Sequence, residues 1–278
     1  MEKYKQTVDK QVHSVVEQPT SPSTVVDAIL DPLKTIAEMR ADHPAVRYVV
    51  KRQIPSEFYD KLYFAPKYKK FINSLLPNKL PDKDNDHPRL IIPYFDRHGR
   101  CYALQGRAFG NEQPKYQTIK FDDDVERIYG LDRVNYAKRI YVLEGPIDSM
   151  FIPNAIAVSG SSFIGPTIEQ LKSNVTLVYD NEPRSPQLTR LIQQSIDKGF
   201  SVCLWPETIK YKDINEMIVD GHMTPAEIVA TINGNTYTGI EAQLRFATWR
   251  QCDYKRVVEA QKAPRQERTS KLVELLGV

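Results

Sequence analysis

The sequence predicts an α/β protein in which a parallel sheet flanked by helices follows a smaller, mixed α+β part. Between residues 139 and 221, short apolar runs alternate with segments of helical character, which is the pattern of a parallel sheet. Upstream, the apolar runs RLIIPYF and CYALQGRAF flank a turn signal at Asp96 to Gly99 and indicate a β-hairpin. A chain of 278 residues is long enough for one large or two modest domains, so both parts fit.

The elements of the parallel part are expected as four strand–helix pairs. The strands are predicted at 139–143, 155–158, 175–179 and 200–204, and the helices near 147–151, 165–172, 186–198 and 213–219. Before them, Pro44 is expected to open a short helix and Ser56 to cap a second one. The polar stretch NEQPKYQTIK, after Gly110, is interpreted as a loop.

Composition along the chain divides it into four predicted regions. The first is a polar arm or linker at 1–40, because its early residues are polar and include the run QPTSPS. A basic N-terminal subdomain follows at 41–136, then the parallel domain at 137–222 and a mostly helical C-terminal region at 223–278.

The overall composition excludes several classes of protein. The formal net charge of +3 and the 26% of charged residues are ordinary for a globular enzyme and do not by themselves indicate nucleic acid. The three cysteines never form a CxxC pair, so a cysteine zinc module and a disulfide framework are not expected. No apolar segment is long enough for a membrane span or a signal peptide, and a reducing cytoplasm is the expected setting. A P-loop motif is absent.

Acidic residues follow three of the predicted strands. Glu144 and Asp148 follow the first, Asp180 and Glu182 the third, and Asp213 the fourth. Ligands of parallel α/β sheets bind at the carboxyl ends of the strands, where several converging carboxylates repel one another unless a cation is present. Mg²⁺ prefers oxygen ligands and serves phosphoryl or nucleotidyl transfer. Each acid alone also fits a surface or turn position, and only the set favours a metal site.

The motifs EGPID, Asp180-x-Glu182 and Lys212-Asp213 resemble those of the Toprim domain over residues 139–221. Topoisomerases, bacterial-type primases and some nucleases share this domain, so the resemblance implies a Toprim-type, Rossmann-like sheet. The second motif is usually Asp-x-Asp. Glu182 therefore departs from the pattern by one methylene, which changes the reach of its carboxylate.

The segment upstream of residue 139 indicates which of these Toprim families the chain resembles. RLIIPYFDRHGRCYALQGRAFGNEQPKYQ is similar to the RNA-polymerase segment that precedes Toprim in bacterial-type primases, and residues 43–221 follow the motif order of a DNA primase. The segments DNEPR and TYTGIEAQLRF resemble primases of large tailed bacteriophages in particular. The resemblance implies a DNA primase catalytic core that uses ribonucleoside triphosphates and Mg²⁺ or Mn²⁺ to make RNA primers on single-stranded DNA. A replicative helicase is the implied partner, and the host cytoplasm is the implied location if a phage encodes the chain.

The resemblance also implies roles for individual residues. Glu144 is the implied general acid/base or metal ligand at the primer 3′-oxygen. Catalysis and metal binding together are implied for Glu144, Asp180, Glu182 and Asp213. Contacts to nucleotide or template are implied for Arg107, Lys115, Tyr116 and Lys212. Gly145 is expected to let the backbone turn sharply, and Asp148 to orient the loop.

Primases of this type usually carry an N-terminal zinc ribbon, and its cysteines are not found in this sequence. No zinc is therefore expected in this chain, and a separate zinc-ribbon module is a possible partner. Two alternatives stay open: a Toprim nuclease, and a non-catalytic replisome adaptor that binds single-stranded DNA or helicase. A topoisomerase is not expected, because the chain has no room for a DNA-gate domain.

Overall fold

The computed structural model describes residues 29–81, 85–159 and 163–251. Most of the predicted arm at 1–40 and the end of the predicted C-terminal region lie outside these residues. The described part of the arm belongs to the folded core, since Leu30 and Ile36 are almost fully buried. The prediction that the linker extends to residue 40 is therefore wrong for residues 29–40.

The N-terminal part is built on a five-stranded antiparallel sheet, called here the N-terminal sheet. Its strands are β1 (Lys34–Thr35), β2 (Tyr63–Ala65), β3 (Arg89–Phe95), β4 (Cys101–Ala108) and β5 (Tyr116–Lys120), and they lie in that order. Two α-helices accompany it, α1 (Pro44–Lys51) and α2 (Tyr68–Leu75). The predicted hairpin is confirmed, because β3 pairs with β4 across the turn at Asp96 to Gly99.

Two local predictions in this part are wrong. The supposed loop contains β5, which pairs with β4 from Arg107 opposite Tyr116 to Ala103 opposite Lys120. An edge strand with one solvated face tolerates polar residues, so its sequence resembles a loop. Ser56 begins a short 3₁₀-helix (Ser56–Phe58) and makes no capping bond, because Pro55 occupies the cap position.

The second part is built on a six-stranded sheet, called here the parallel sheet. Its strands are β6 (Ile128–Tyr129), β7 (Ile140–Leu143), β8 (Ala155–Val158), β9 (Val175–Val178), β10 (Ser201–Cys203) and β11 (Thr236–Tyr237). Their spatial order is β11-β10-β9-β7-β8-β6, with the four central strands parallel and the two edge strands antiparallel. The four predicted strands and the α/β class are confirmed.

In the described residues, four helices follow the central strands as predicted, with ends that differ from the predicted ones by at most two residues, and two more helices lie in the C-terminal part. They are α3 (Pro146–Ser149), α4 (Pro166–Gln170), α5 (Pro186–Asp197), α6 (Ile214–Val219), α7 (Pro225–Gly234) and α8 (Gly239–Trp249). A further 3₁₀-helix spans Lys172–Asn174. Among the residues that the structure describes, no helix is long and apolar enough to cross a membrane.

The parallel sheet extends beyond the segment that the sequence assigned to it. Edge strand β6 precedes residue 137 and pairs with β8, while β11 follows residue 222 and pairs with β10. Each of these strands has only two residues, which is too short for a periodic signal. The assignment of the four regions stays a prediction, with this extension of the sheet on both sides.

One hydrophobic cluster joins the two sheets. It contains Ile92 of β3, Leu143 of β7 and Met217 of α6, all nearly inaccessible to solvent. The opposite face of the parallel sheet packs against α5 and α8 through Ile192 and Phe246. This shared core holds the edge of the N-terminal sheet beside the carboxyl ends of the parallel strands, where the candidate site lies.

Candidate active site

Four of the predicted acids come together at the carboxyl ends of the parallel strands. Glu144 follows β7, Asp180 follows β9, and Asp213 lies at the start of α6 after β10. These three and Asp148 of α3 line one small cavity beneath the strand ends. Because β7, β9 and β10 are adjacent and parallel, their carboxyl ends meet at the same edge. Glu182 lies at the rim and is treated below with Lys212.

The electrostatics of this cluster show carboxylates with too little compensating charge. Burial raises the pKa of Asp180 to about 8, and the charges of Glu144, Asp148 and Asp213 add to the increase. Burial together with Asp213 raises the pKa of Asp148 to about 7. The pKa of the exposed Glu144 is also raised, first by the protein around it, which reduces its hydration, and then by nearby acids. Such a site favours a bound cation or a retained proton.

Lys212 supplies positive charge at the rim of the cluster. Its Nζ atom lies 3.2 Å from Glu182 Oε2 and 3.8 Å from Asp180 Oδ2. Partial burial acts to lower the pKa of Lys212, but Asp180 and Glu182 outweigh it and the pKa is raised. The predicted nucleotide-binding lysine is thus paired with two of the predicted metal ligands in this structure.

Asp148 and Asp213 both hold the start of α6. Asp213 caps the helix, since its Oδ1 atom accepts a hydrogen bond from Glu216 N at 2.8 Å. Asp148 Oδ1 accepts one from Asn215 N at 2.9 Å. The two carboxylates therefore fix α6 relative to α3, and each keeps a second oxygen for other partners.

The expectation that Gly145 is needed for a sharp turn of the backbone is wrong. Its backbone is extended, with φ −114° and ψ 141°, a conformation that any residue adopts. A Cβ atom at this position would instead lie 3.0 Å from Asp148 Oδ2. Glycine is thus favoured here because it leaves room for the Asp148 carboxylate, and a sharp turn does not require it.

Asn181, between the two acids of the second motif, is a positioning residue that the sequence analysis missed. It is 4% exposed, and its Nδ2 atom donates to the carbonyl oxygens of Ile209 at 3.0 Å and Tyr211 at 3.2 Å. Its Oδ1 atom accepts from Trp249 Nε1 at 3.3 Å. These bonds fix the loop that presents Asp180. An asparagine between two acids resembles an ordinary turn, so the sequence contained no signal for this role.

The other predicted basic residues, Arg107 and Lys115, belong to the β4–β5 hairpin of the N-terminal sheet, and Lys115 lies within electrostatic range of Asp213. Arg107 is 3% exposed, and its Nε atom donates to the Tyr48 hydroxyl at 2.9 Å. Its guanidinium carbon lies 4.4 Å from the ring centroid of Tyr116, a residue that is 41% exposed. The pKa of Lys115 is lowered, first by Arg107, then by burial and by Arg52 and Lys212. Cations of both sheets therefore share one cleft.

Arg52 is a second residue that the sequence analysis missed. Its Nη1 atom donates to Asn215 Oδ1 at 2.8 Å, and Asn215 Nδ2 donates back to the Arg52 carbonyl at 2.8 Å. The positive charge of Arg52 also opposes the rise in the pKa of Asp148. The pair joins the end of α1 to α6 across 163 positions of sequence, a distance at which no local pattern gives a signal.

Removing this pair is expected to weaken the junction between the two sheets. The substitution Asn215→Ala leaves Arg52 without either hydrogen bond and should lower the free energy of unfolding by about 1–3 kcal/mol. Urea denaturation measures this loss. The exposed Gln194→Ala on α5 is the control and should change stability by less than about 0.5 kcal/mol. Equal stability of the two variants would refute the role of the pair.

A ready-made metal site is not formed by the side chains in their present positions. Within residues 29–81, 85–159 and 163–251, no three histidine, cysteine, aspartate or glutamate side chains lie close enough together to hold one ion. The donor set is nevertheless suited to a hard divalent cation, because it consists of carboxylates whose pKa values are raised by burial and then by mutual repulsion. The assignment of metal ligands stays a prediction.

Comparisons with solved structures define the class of this fold. The chain superimposes on a structure of the DnaG primase catalytic domain bound to ssDNA with a TM-score of 0.58 and 19% identity, over 89% of this chain and 93% of that one. The E. coli primase catalytic core gives a TM-score of 0.58 and 20% identity, over 85% and 93%. At these identities the likeness shows the fold, which is that of a primase catalytic core containing a Toprim domain.

Sequence relatives define the family. A DNA primase of Enterobacteria phage T4 is 34% identical over 235 residues, which cover 84% of this chain and 68% of that protein. No family model matches the sequence. The chain belongs to the DNA primase family and has a primase function in DNA replication.

Proposed function

We propose that this chain is the catalytic core of a DNA-directed RNA polymerase that makes short RNA primers on single-stranded DNA by nucleotidyl transfer. The observation that supports this reaction is that acidic side chains of the parallel sheet and basic side chains of the N-terminal sheet lie on opposite sides of one cleft. Glu144, Asp180 and Asp213 lie on the parallel-sheet side. Lys115 lies on the side of the N-terminal sheet, within electrostatic range of Asp213 and of Lys212. Nucleotidyl transfer needs both, since an acidic cluster binds cations and basic side chains bind the triphosphate.

One or two Mg²⁺ or Mn²⁺ ions are the cofactor that this donor set fits. The carboxylates of Asp180, Glu182 and Asp213, with Glu144, would hold them. The bound ions would supply the positive charge that neutralises the triphosphate during the transfer. No zinc is assigned to the described residues, and a zinc-ribbon module, where one takes part, is proposed to lie on another polypeptide or segment.

The chain's own residues then divide the remaining work. Glu144 is proposed to accept the proton of the primer 3′-hydroxyl, because it is an exposed carboxylate at the end of β7 and its raised pKa makes it a stronger base than an ordinary glutamate. Lys115, Lys212 and Arg52 bind the phosphate oxygens of the incoming ribonucleoside triphosphate. Asp148 braces α6 so that Asp213 keeps its position.

Arg107 is proposed to contact nucleotide or template with the part of its guanidinium that Tyr48 and Tyr116 leave free. Its planar group is held by the hydrogen bond to Tyr48 and the stack on Tyr116. Lysine keeps the charge but neither stacks in the same way nor offers two donors in one plane. The tyrosines thus act through Arg107, by fixing its orientation.

The substitution Arg107→Lys is therefore expected to lower kcat/KM for ribonucleotide incorporation by about 10- to 100-fold, although the charge is unchanged. Steady-state kinetics on a single-stranded template measure the loss. The exposed Arg127→Lys is the matched control and should remain within about twofold of the wild type. A value of kcat/KM for Arg107→Lys that matches this control would show that orientation of the guanidinium is unimportant.

The partners follow from the same reaction. Single-stranded DNA and ribonucleoside triphosphates are the proposed substrates, and a replicative helicase is the proposed partner protein. A relative in fold is described as bound to ssDNA, which supports the first of these.

Incorporation of labelled ribonucleotides on a single-stranded template tests the function. Short RNA products complementary to the template are expected from the wild type. Cleavage of the template without nucleotide addition would favour a nuclease instead, and binding without either reaction would favour an adaptor.

A further inference from the structure

A second charged feature lies directly after the acidic loop. The residues directly after Glu182 line an open groove between α5 and α8. Its lining includes three arginines, Arg184, Arg190 and Arg250, together with Pro183, Pro186 and Phe246. We propose that this groove binds successive phosphates of the single-stranded DNA template beside the active site. The proposal deepens the proposed function and rests on it.

The charges of the groove are available to an anion. None of the residues that line it is acidic, and among the described residues none of the three arginines forms an ion pair with a carboxylate. Other arginines do pair, for example Arg40 with Asp42 at 3.2 Å. Three guanidinium groups that have no ion pair among the described residues give this groove a local excess of positive charge, which attracts an anion.

The arrangement of the arginines favours a strand over a single small anion. Arg184 precedes α5 and Arg190 follows in its second turn, so their Cα atoms are separated by roughly 9 Å along the helix direction. Arg250 lies at the end of α8, on the facing wall. Arg184 Nη2 donates to the Gln251 carbonyl at 2.8 Å, which links the two walls. Arginine in such a row binds phosphate oxygens through paired donors.

The shape of the groove argues against a nucleotide as its occupant. It is open along its length, and the base of a nucleotide would find no enclosing pocket. Its lining also contains the apolar residues Pro183, Pro186 and Phe246. A positively charged groove that follows the backbone is a common means of binding single strands without sequence preference. Because the groove begins directly after Glu182 in the chain, we place the bound strand next to the loop that carries Asp180 and Glu182.

Fluorescence anisotropy with a 5′-fluorescein-labelled 20-residue oligothymidylate tests the proposal on the full chain. The double variant Arg190→Gln/Arg250→Gln should bind about tenfold more weakly than the wild type near 0.15 M salt. The slope of log K against log salt should fall by about 1.4, because each phosphate contact with a single strand contributes about 0.7. Arg184 is left intact because it also holds the two walls together.

The matched control is Arg40→Gln/Arg245→Gln, which removes the same net charge from arginines that pair with Asp42 and Glu241. It should keep wild-type affinity and slope, and thermal melting checks that both double variants are folded. Equal oligonucleotide binding by the two double variants would overturn the proposal. A raised KM for ribonucleotides with unchanged oligonucleotide binding would overturn it too, by assigning the groove to a nucleotide.

The experiments can refute primer synthesis and template binding by the groove independently of each other. If the wild type makes no RNA, but the double variant Arg190→Gln/Arg250→Gln binds the oligonucleotide more weakly than the wild type, primer synthesis is refuted and the groove is supported. A chain that makes RNA and binds the oligonucleotide equally well after both substitutions would refute the groove alone.

Discussion

Alanine in place of Asp180 is expected to slow primer synthesis at least about a thousandfold, which corresponds to about 4 kcal/mol of lost transition-state stabilisation. The same loss is expected for Glu144→Ala. Asp180 lies where the charges of Glu144, Asp148 and Asp213 all act on it, so its removal changes the whole cluster. Initial rates of ribonucleotide incorporation at saturating template measure the effect.

The double variant Asp180→Ala/Glu144→Ala separates one shared site from two independent ones. If both carboxylates serve the same transfer, the double variant should be no more than about tenfold slower than the slower single variant. Independent contributions would instead multiply to about a millionfold. Glu169→Ala, which removes an exposed acid that pairs with Lys198, is the control and should retain wild-type rates. More than a tenth of wild-type activity in either single variant would contradict the assignment.

The second large effect concerns stability in the absence of metal. The pKa of Asp180 is raised to about 8 in the folded chain, whereas an unfolded aspartate titrates near 3.8. Between these values the folded state binds more protons than the unfolded state, so the contribution of Asp180 to stability falls as pH rises from about 4 to about 8. Asparagine resembles the protonated side chain and does not titrate. Asp180→Asn should therefore become more stable than the wild type as pH increases.

The stability difference between Asp180→Asn and wild type is expected to grow by about 2–4 kcal/mol between pH 5 and pH 9 in metal-free buffer. This value is below the full shift because part of the side chain is accessible to water. Urea denaturation at several pH values measures the difference. Asp197→Asn, an exposed substitution at the end of α5, should show no such trend. Millimolar Mg²⁺ should stabilise the wild type and leave Asp180→Asn nearly unchanged. A difference that does not vary with pH would contradict the described crowding of carboxylates.

Much of the fold was predictable because its strong signals are local. The parallel strands are buried on both faces, so each appears as an apolar run such as Ile140 to Leu143, and turn residues separate the runs. The acids at the ends of these runs indicated the site, since parallel strands bring their carboxyl ends to one edge. Strand β5 was missed because it is a polar edge strand, and the two-residue strands β6 and β11 were missed because partners distant in sequence create them.

The parts of the site that were missed depend on contacts that cross the chain. The pairing of Arg52 with Asn215 and the bonds from Asn181 to Ile209 and Tyr211 join segments that no local periodicity relates. The ion pair of Lys212 with Glu182 was also not foreseen, because charge pairing across loops depends on their positions in space. Sequence alone therefore indicated the chemistry, and the structure added the residues that position it.

The measurement that tests the account most directly is RNA synthesis on circular single-stranded DNA as a function of Mg²⁺ concentration. A circular template has no ends, so products arise only by initiation within the strand. The account predicts short RNA in the presence of Mg²⁺, no RNA in EDTA, and loss of the product in Asp180→Ala. RNA made at the same rate in EDTA, or a template that is cut while no RNA appears at any Mg²⁺ concentration, would contradict it.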